Sequence, residues 1–138
     1  MGLTVKQVAD RVGLPSRTVR YYDRIGLVRA DDRSATGYRL YGTEEEARLL
    51  FVRRAKRLGF SLDEIRGLMA AALGGCDATV PELERLLEQK IEEIDARIVE
   101  LTTFRDRLID YRAGKRLSHR DCCSHGAFCG CLDDVPEP

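Results

Sequence analysis

The sequence has no hydrophobic run of membrane-spanning length, which would take about 20 consecutive apolar residues. Nor is there a basic start followed by an apolar segment, so a soluble cytoplasmic protein is expected. No C-x-x-C stands beside a β-α-β pattern, and no glycine-rich phosphate loop is present. A thiol oxidoreductase or a nucleotide-dependent enzyme therefore has no recognisable centre here. Net charge is missing too, because 23 Lys+Arg balance 23 Asp+Glu over 138 residues. That balance hides an asymmetry: residues 1–60 carry 13 basic and 7 acidic side chains, residues 61–138 carry 10 and 16. A basic front half suits nucleic acid, and an acidic back half suits a different task.

What is present begins with Thr4-Val5-Lys6-Gln7, a capping-box pattern, and an apolar stripe of Val5, Val8, Ala9 and Val12. Gly13-Leu14-Pro15 reads as a turn. Ser16 then stands as the expected N-cap of a second helix that closes at Gly26. Val19, Tyr22 and Ile25 point that helix into a core, leaving Arg17, Thr18, Arg20, Tyr21 and Arg24 largely on its other faces. Two short helices about a tight turn form a helix-turn-helix, with the second as the reader of a DNA groove. Residues 28–42 read as a hairpin wing, in which Arg33, Tyr38 and Arg39 suit phosphates.

Thr43-Glu44-Glu45-Glu46 is a second capping box, opening a helix with Ala47, Leu50, Phe51, Ala55 and Leu58 as its apolar positions and a basic cluster from Arg53 to Arg57. Ser61 to Glu64 is a third, before a helix carrying Leu62, Ile65, Leu68, Met69 and Leu73. Residues 74–78 read as a linker, and Thr79-Val80-Pro81-Glu82 as a fourth capping box. From there to about Arg112 nothing breaks the helix. Leu87, Ile91, Ile94, Ile98, Leu101 and Leu108 make a coiled-coil seam interrupted by Arg105, and the natural partner is the same helix of a second copy. The expected fold is mainly α: a winged helix-turn-helix over 1–73, a linker over 74–78, a dimerisation helix over 79–112 and a Cys-rich loop and tail over 113–138.

Three strings, in order, give the chain a resemblance to the MerR family of bacterial transcription regulators: Thr18-Val19-Arg20-Tyr21-Tyr22-Asp23-Arg24-Ile25-Gly26-Leu27, Gly37-Tyr38-Arg39-Leu40-Tyr41, and Leu58 to Ile65. The resemblance implies a homodimer on a palindromic promoter whose spacer is too long for productive use, with the bound effector twisting the DNA so that RNA polymerase can initiate. It also fits DNA contacts from Arg17, Thr18, Arg20, Tyr21, Tyr38, Arg39 and Arg53.

Four of the five cysteines crowd between Cys122 and Cys131. In a reducing compartment such a cluster suits a metal or redox site. Thiolates select soft or borderline ions and exclude Mg(II) and Ca(II). The short members of the family with a Cys-rich terminal loop are metal sensors, and those for divalent ions carry a cysteine near the start of the dimer helix where copper sensors have serine. By that resemblance Cys76 joins Cys122, Cys123, His125, Cys129 and Cys131 as candidate ligands of a soft divalent ion: Zn, Cd, Pb or Hg. The seven residues between Cys123 and Cys131, a spacing similar to that of the family's copper sensors, keep Cu(I) open. An iron–sulfur redox sensor is a further alternative, although the adjacent Cys122-Cys123 pair departs from that subfamily's run. A structural zinc knob is the remaining rival.

Overall fold

The computed structural model describes residues 2–115, 128–130, 132, 135, 136 and 138. Its elements are β1 (Leu3–Thr4), α1 (Val5–Val12), α2 (Ser16–Arg24), β2 (Asp32–Arg33), β3 (Arg39–Tyr41), α3 (Thr43–Arg57), α4 (Leu62–Ala72) and α5 (Cys76–Lys115). Two compact units divide them, Met1–Lys90 and Ile91–Pro138. No helix among the described residues is long and apolar enough to cross a membrane.

In the first unit, α1 starts as its sequence requires. The Thr4 hydroxyl accepts from the Gln7 amide at 3.3 Å and the Gln7 side chain accepts from the Thr4 amide at 2.9 Å. Each satisfies an amide that the helix leaves without an intrahelical partner. Ser61 and Glu64 repeat the device at α4, at 3.1 and 3.2 Å. Three other expected starts are displaced. Ser16 is the first residue of α2 rather than its cap; Pro15, extended at φ −63° and ψ 142°, stands before it, and its carbonyl receives the Thr18 and Val19 amides. Gly42 precedes α3, so Thr43 is already helical and Glu45, not Glu46, accepts from the amide before the helix, at 3.1 Å. Glu46, one residue on, is free to pair with Arg11 of α1 at 3.1 Å.

The third displacement is at α5, which begins at Cys76 and ends at Lys115, so Cys76, Asp77 and Ala78 are helical where a linker was expected. The Gly75 carbonyl accepts from both the Ala78 and Thr79 amides, drawing the chain into a helical turn before Thr79 is reached. The Thr79 hydroxyl, instead of capping, donates back to that same carbonyl at 2.7 Å. Pro81 thus lies inside the helix.

Leu3 and Thr4 pair with Tyr41 and Leu40, and Asp32 and Arg33 with Leu40 and Arg39, giving an antiparallel sheet in the order β1-β3-β2. The hairpin was expected; β1 was not, because two residues cannot show an alternation. The core beneath joins Val8, Ala9 and Val12 of α1, Val19 and Tyr22 of α2, Tyr41 of the sheet and Phe60, Ile65 and Leu68 around α4. In α3 the inward face is Leu49, Val52 and Ala55, whereas Ala47 and Leu58 are exposed. Leu73, expected in the α4 stripe, is 79 % exposed. Leu86 of α5 is buried in this same core. In the second unit, every residue from 91 to 110 is exposed.

Leu49 is fully buried, so Leu49→Ala should lose about 2–5 kcal/mol of stability through lost transfer energy and the cavity left behind. Ala47→Ser, on the exposed side, should leave stability within about 0.5 kcal/mol of the parent. Urea unfolding of the two variants checks this, and the reverse ranking would reassign the inward face of α3.

Candidate nucleic-acid interface and thiol positions

Helix α2, the expected reader, is fixed at its C-terminal end. At its C-terminus Gly26 adopts φ 74°, the Gly26 amide donates to the Asp23 carbonyl and the Leu27 amide to that of Tyr22. This is a Schellman closure, which needs a left-handed residue and hence glycine. Arg66 of α4 donates to the Ile25 carbonyl at 2.6 Å, adding a cation where the helix dipole is negative. With Val19 and Tyr22 buried, Arg17, Arg20 and Tyr21 are exposed and Thr18 is half-buried. The Arg24 guanidinium lies 5.6 Å from the Tyr21 ring centroid, a cation–π distance that restrains the ring.

The wing is fastened to this helix by Asp23. One carboxylate oxygen accepts from the Ala30 amide at 2.9 Å and the other from the Arg39 Nε at 2.5 Å. Burial pushes the Asp23 carboxyl up, but the Ala30 amide and the Arg39 guanidinium outweigh it and hold the group below the usual carboxylate range. Next to this pair the Tyr41 hydroxyl is buried with no hydrogen-bond partner among the described residues. Burial raises its phenol above the usual value, reinforced by the Asp23 charge. Arg33 donates to the Gly37 carbonyl at 3.1 Å, closing the wing turn. Arg39 and Arg33 are therefore bracing the wing, whereas Tyr38 stands 70 % exposed.

Arg53 of α3 is half-buried, and a Cβ built on Gly13 would lie 3.2 Å from its guanidinium carbon. It packs against the turn between α1 and α2. Arg20, Tyr38 and Arg39 meet in one cleft of about 490 Å³, together with Thr4, Val5, Lys6 and Gly37. Lys6 escaped the sequence reading because its place in the cleft follows from the β1–β3 pairing, which has no signature of its own. Asp23 lay inside a recognised string, but nothing in its spacing announces a partner 16 residues away.

Of the thiol positions, Cys76 is an exposed, free cysteine at the first residue of α5, and Cys129 is exposed. Cys122, Cys123, His125 and Cys131 lie outside the described residues. Among the described residues no three His, Cys, Asp or Glu are gathered closely enough to hold a metal.

Residues 3–72 match the profile of MerR HTH family regulatory proteins, and residues 46–111 that described as MerR, DNA binding. The chain is 38 % identical over 106 residues to the HTH-type transcriptional regulator HmrR of Rhizobium leguminosarum bv. viciae, covering 77 % of this chain and 81 % of that one. It is 32 % identical over 112 residues to the mercuric resistance operon regulatory protein of Bacillus cereus, covering 81 % and 84 %. Among solved structures, the transcription regulator PbrR691 from Ralstonia metallidurans CH34 in complex with lead(II) superposes with a TM-score of 0.73 at 27 % identity, covering 97 % and 99 %.

Asp23→Asn should cost about 1–3 kcal/mol at neutral pH by removing a charge-assisted bond to the wing. Because folding lowers the carboxyl's pKa, that contribution is fully present above the unfolded value of about 3.9 and is lost as pH falls through the folded one. Urea midpoints of parent and variant should therefore differ at pH 7 and draw together progressively as the pH falls below about 3.9. A gap that stays constant with pH would remove Asp23 as the fastening.

Proposed function

The chain belongs to the MerR family of helix-turn-helix transcriptional regulators, DNA-binding proteins rather than enzymes, and from that premise we propose that it is a metal-responsive activator acting as a homodimer on a palindromic promoter. The observation that carries the proposal is the exposed Cys76 opening α5, while the Cys122–Cys131 cluster follows the end of the same helix. Relatives named for mercuric resistance and for a lead(II) complex support a thiolate-seeking ion as the effector.

Each step rests on a property of the residues. Arg17, Thr18, Arg20 and Tyr21 of α2 read the major groove, and Tyr38, Arg39 and Arg53 hold the flanking backbone. Guanidiniums suit both guanine edges and phosphates. Ile91, Ile94, Ile98, Leu101 and Leu108 are each more than half exposed along one face of α5, and a second α5 supplies their cover. In the antiparallel arrangement the start of one helix meets the end of its partner, which brings Cys76 of one protomer to the loop cysteines of the other. Cys76, Cys122, Cys123, Cys129, Cys131 and His125 form the donor set from which three or four ligands are drawn. Sulfur with one imidazole suits Zn, Cd, Pb or Hg. Cu(I) is the second reading, favoured by the seven residues between Cys123 and Cys131. Metal joining the protomers shifts their relative angle. Distorting the promoter costs about 1–6 kcal/mol, offset by the phosphate contacts, and lets bound RNA polymerase initiate.

Two experiments test this. Ile98→Asp puts an unpaired charge into the seam, so sedimentation should give a monomer with operator affinity lost alongside; a variant that stays dimeric moves the interface elsewhere. Cys76→Ser, and separately Cys122→Ser with Cys131→Ser, should each abolish metal-induced transcription in vitro while leaving promoter binding intact. Mixing the two variants should rebuild one composite site per heterodimer. Mixed dimers that bind no more Zn, Cd, Pb or Hg than either parent would sink the shared site, and a Cys76→Ser protein still responding to Cu(I) alone would favour the copper reading.

A further inference from the structure

The cleft of about 490 Å³ between α1, α2 and the wing is lined by three cationic side chains, Lys6, Arg20 and Arg39, and by no carboxylate. Among the described residues, the side chains of Lys6 and Arg20 donate no hydrogen bond and form no ion pair, and both residues are exposed. Arg39 faces the same cleft with its Nε held by Asp23. Like charges gathered around one concavity repel, and an anion between them relieves that repulsion.

We propose that this cleft seats one backbone phosphate of the bound DNA, with Lys6 and Arg20 as its cations and Arg39 as a fixed third charge. The inference rests on the DNA-binding reading above and extends it to α1, which that reading leaves out. The site's place in the fold supports the choice of DNA over an acidic protein. Arg20 projects from the reader helix and Tyr38 from the wing, so a strand bordering the groove that α2 enters passes between them. Gly37, at φ 86° and with nothing within 4 Å of the position of a Cβ, leaves the wing's tip open to a close approach by the sugar–phosphate chain. The register of β1 on β3 sets the floor, because Leu3 opposite Tyr41 and Thr4 opposite Leu40 bring Lys6 to the same side as Arg39. A phosphate held here carries no sequence information. It fixes how deeply and at what angle α2 enters the groove.

The test uses the full chain and the duplex that the wild-type protein enriches from a random pool. Lys6→Ala should weaken binding roughly three- to tenfold, by the same factor for the enriched and a scrambled duplex, and should make the slope of log Kd against log salt concentration shallower by about one. Replacing each backbone phosphate in turn by an uncharged methylphosphonate should reveal a position at which the wild type loses affinity and the Lys6→Ala protein does not. Thermal unfolding of the variant should match the parent, since Lys6 is exposed. Arg20→Ala, which removes a groove contact as well as a cation of the seat, should lose affinity at the same phosphate and in addition change the ratio between enriched and scrambled duplexes. A Lys6→Ala protein with an unaltered salt slope and the wild-type methylphosphonate profile overturns the phosphate seat while leaving the reader helix standing. The same normal DNA behaviour with loss of binding to an acidic peptide would reassign the cleft to a protein partner. A wild-type chain that enriches no duplex overturns both this seat and the DNA-binding reading.

Discussion

The carboxylate of Asp23 ties helix α2 to the wing. Asp23 sits near the end of the reader helix, takes the Ala30 amide from the segment leaving it, and takes Arg39 from the wing strand beyond. Helix, connection and wing are held at a common origin by two hydrogen bonds. The wing itself is slight, with strands of two and three residues. Short strands contribute little pairing energy on their own. Their position therefore depends on what they are attached to, and the attachments are Asp23, the β1 edge and the buried ring of Tyr41.

This bears on how a basic surface is counted. Of the arginines near α2, Arg33, Arg39 and Arg66 donate to groups of the protein itself, while the side chains of Arg17 and Arg20 are exposed and make no such bonds among the described residues. The first set shapes the surface that the second presents. Guanidinium suits both tasks because its planar fork is charged at any physiological pH and satisfies carbonyls and carboxylates with little loss of entropy.

Much of the architecture was legible because it is local. The stripe of α1, that of α4 as far as Met69, and the boxes at Thr4 and Ser61 rest on residues three or four apart, and the helix itself brings those together. The reader's inward face was equally plain. Where reading went astray, the deciding partner was distant or the competing residue was a neighbour with a stronger constraint. Pro15 displaced Ser16 because it sits readily in extended backbone just ahead of a helix. Gly42 displaced Thr43 because its amide was the one within reach of Glu45. Leu49 and Val52 replaced Ala47 and Leu58 because every turn of α3 holds apolar residues on more than one face, and only packing chooses among them. The thiol cluster is the opposite case. Cys122, Cys123, His125 and Cys131 fall outside the described residues, and the proposed donor set is built on Cys76, on composition and on kinship.

The burial of Leu86 has an architectural consequence. Although it belongs to α5, its side chain lies in the same apolar cluster as Val19 and Tyr22 of the reader helix, and Leu83 and Leu87 pack at the edge of that cluster. Lys90 reaches Glu64 of α4 at 3.5 Å. The opening turns of the long helix are thus part of the reading module's own interior, not an appendage to it. Any join between modules therefore lies inside a helix: a graft at the glycines before Cys76 cuts through a packed core, whereas one made beyond Lys90 leaves that core whole.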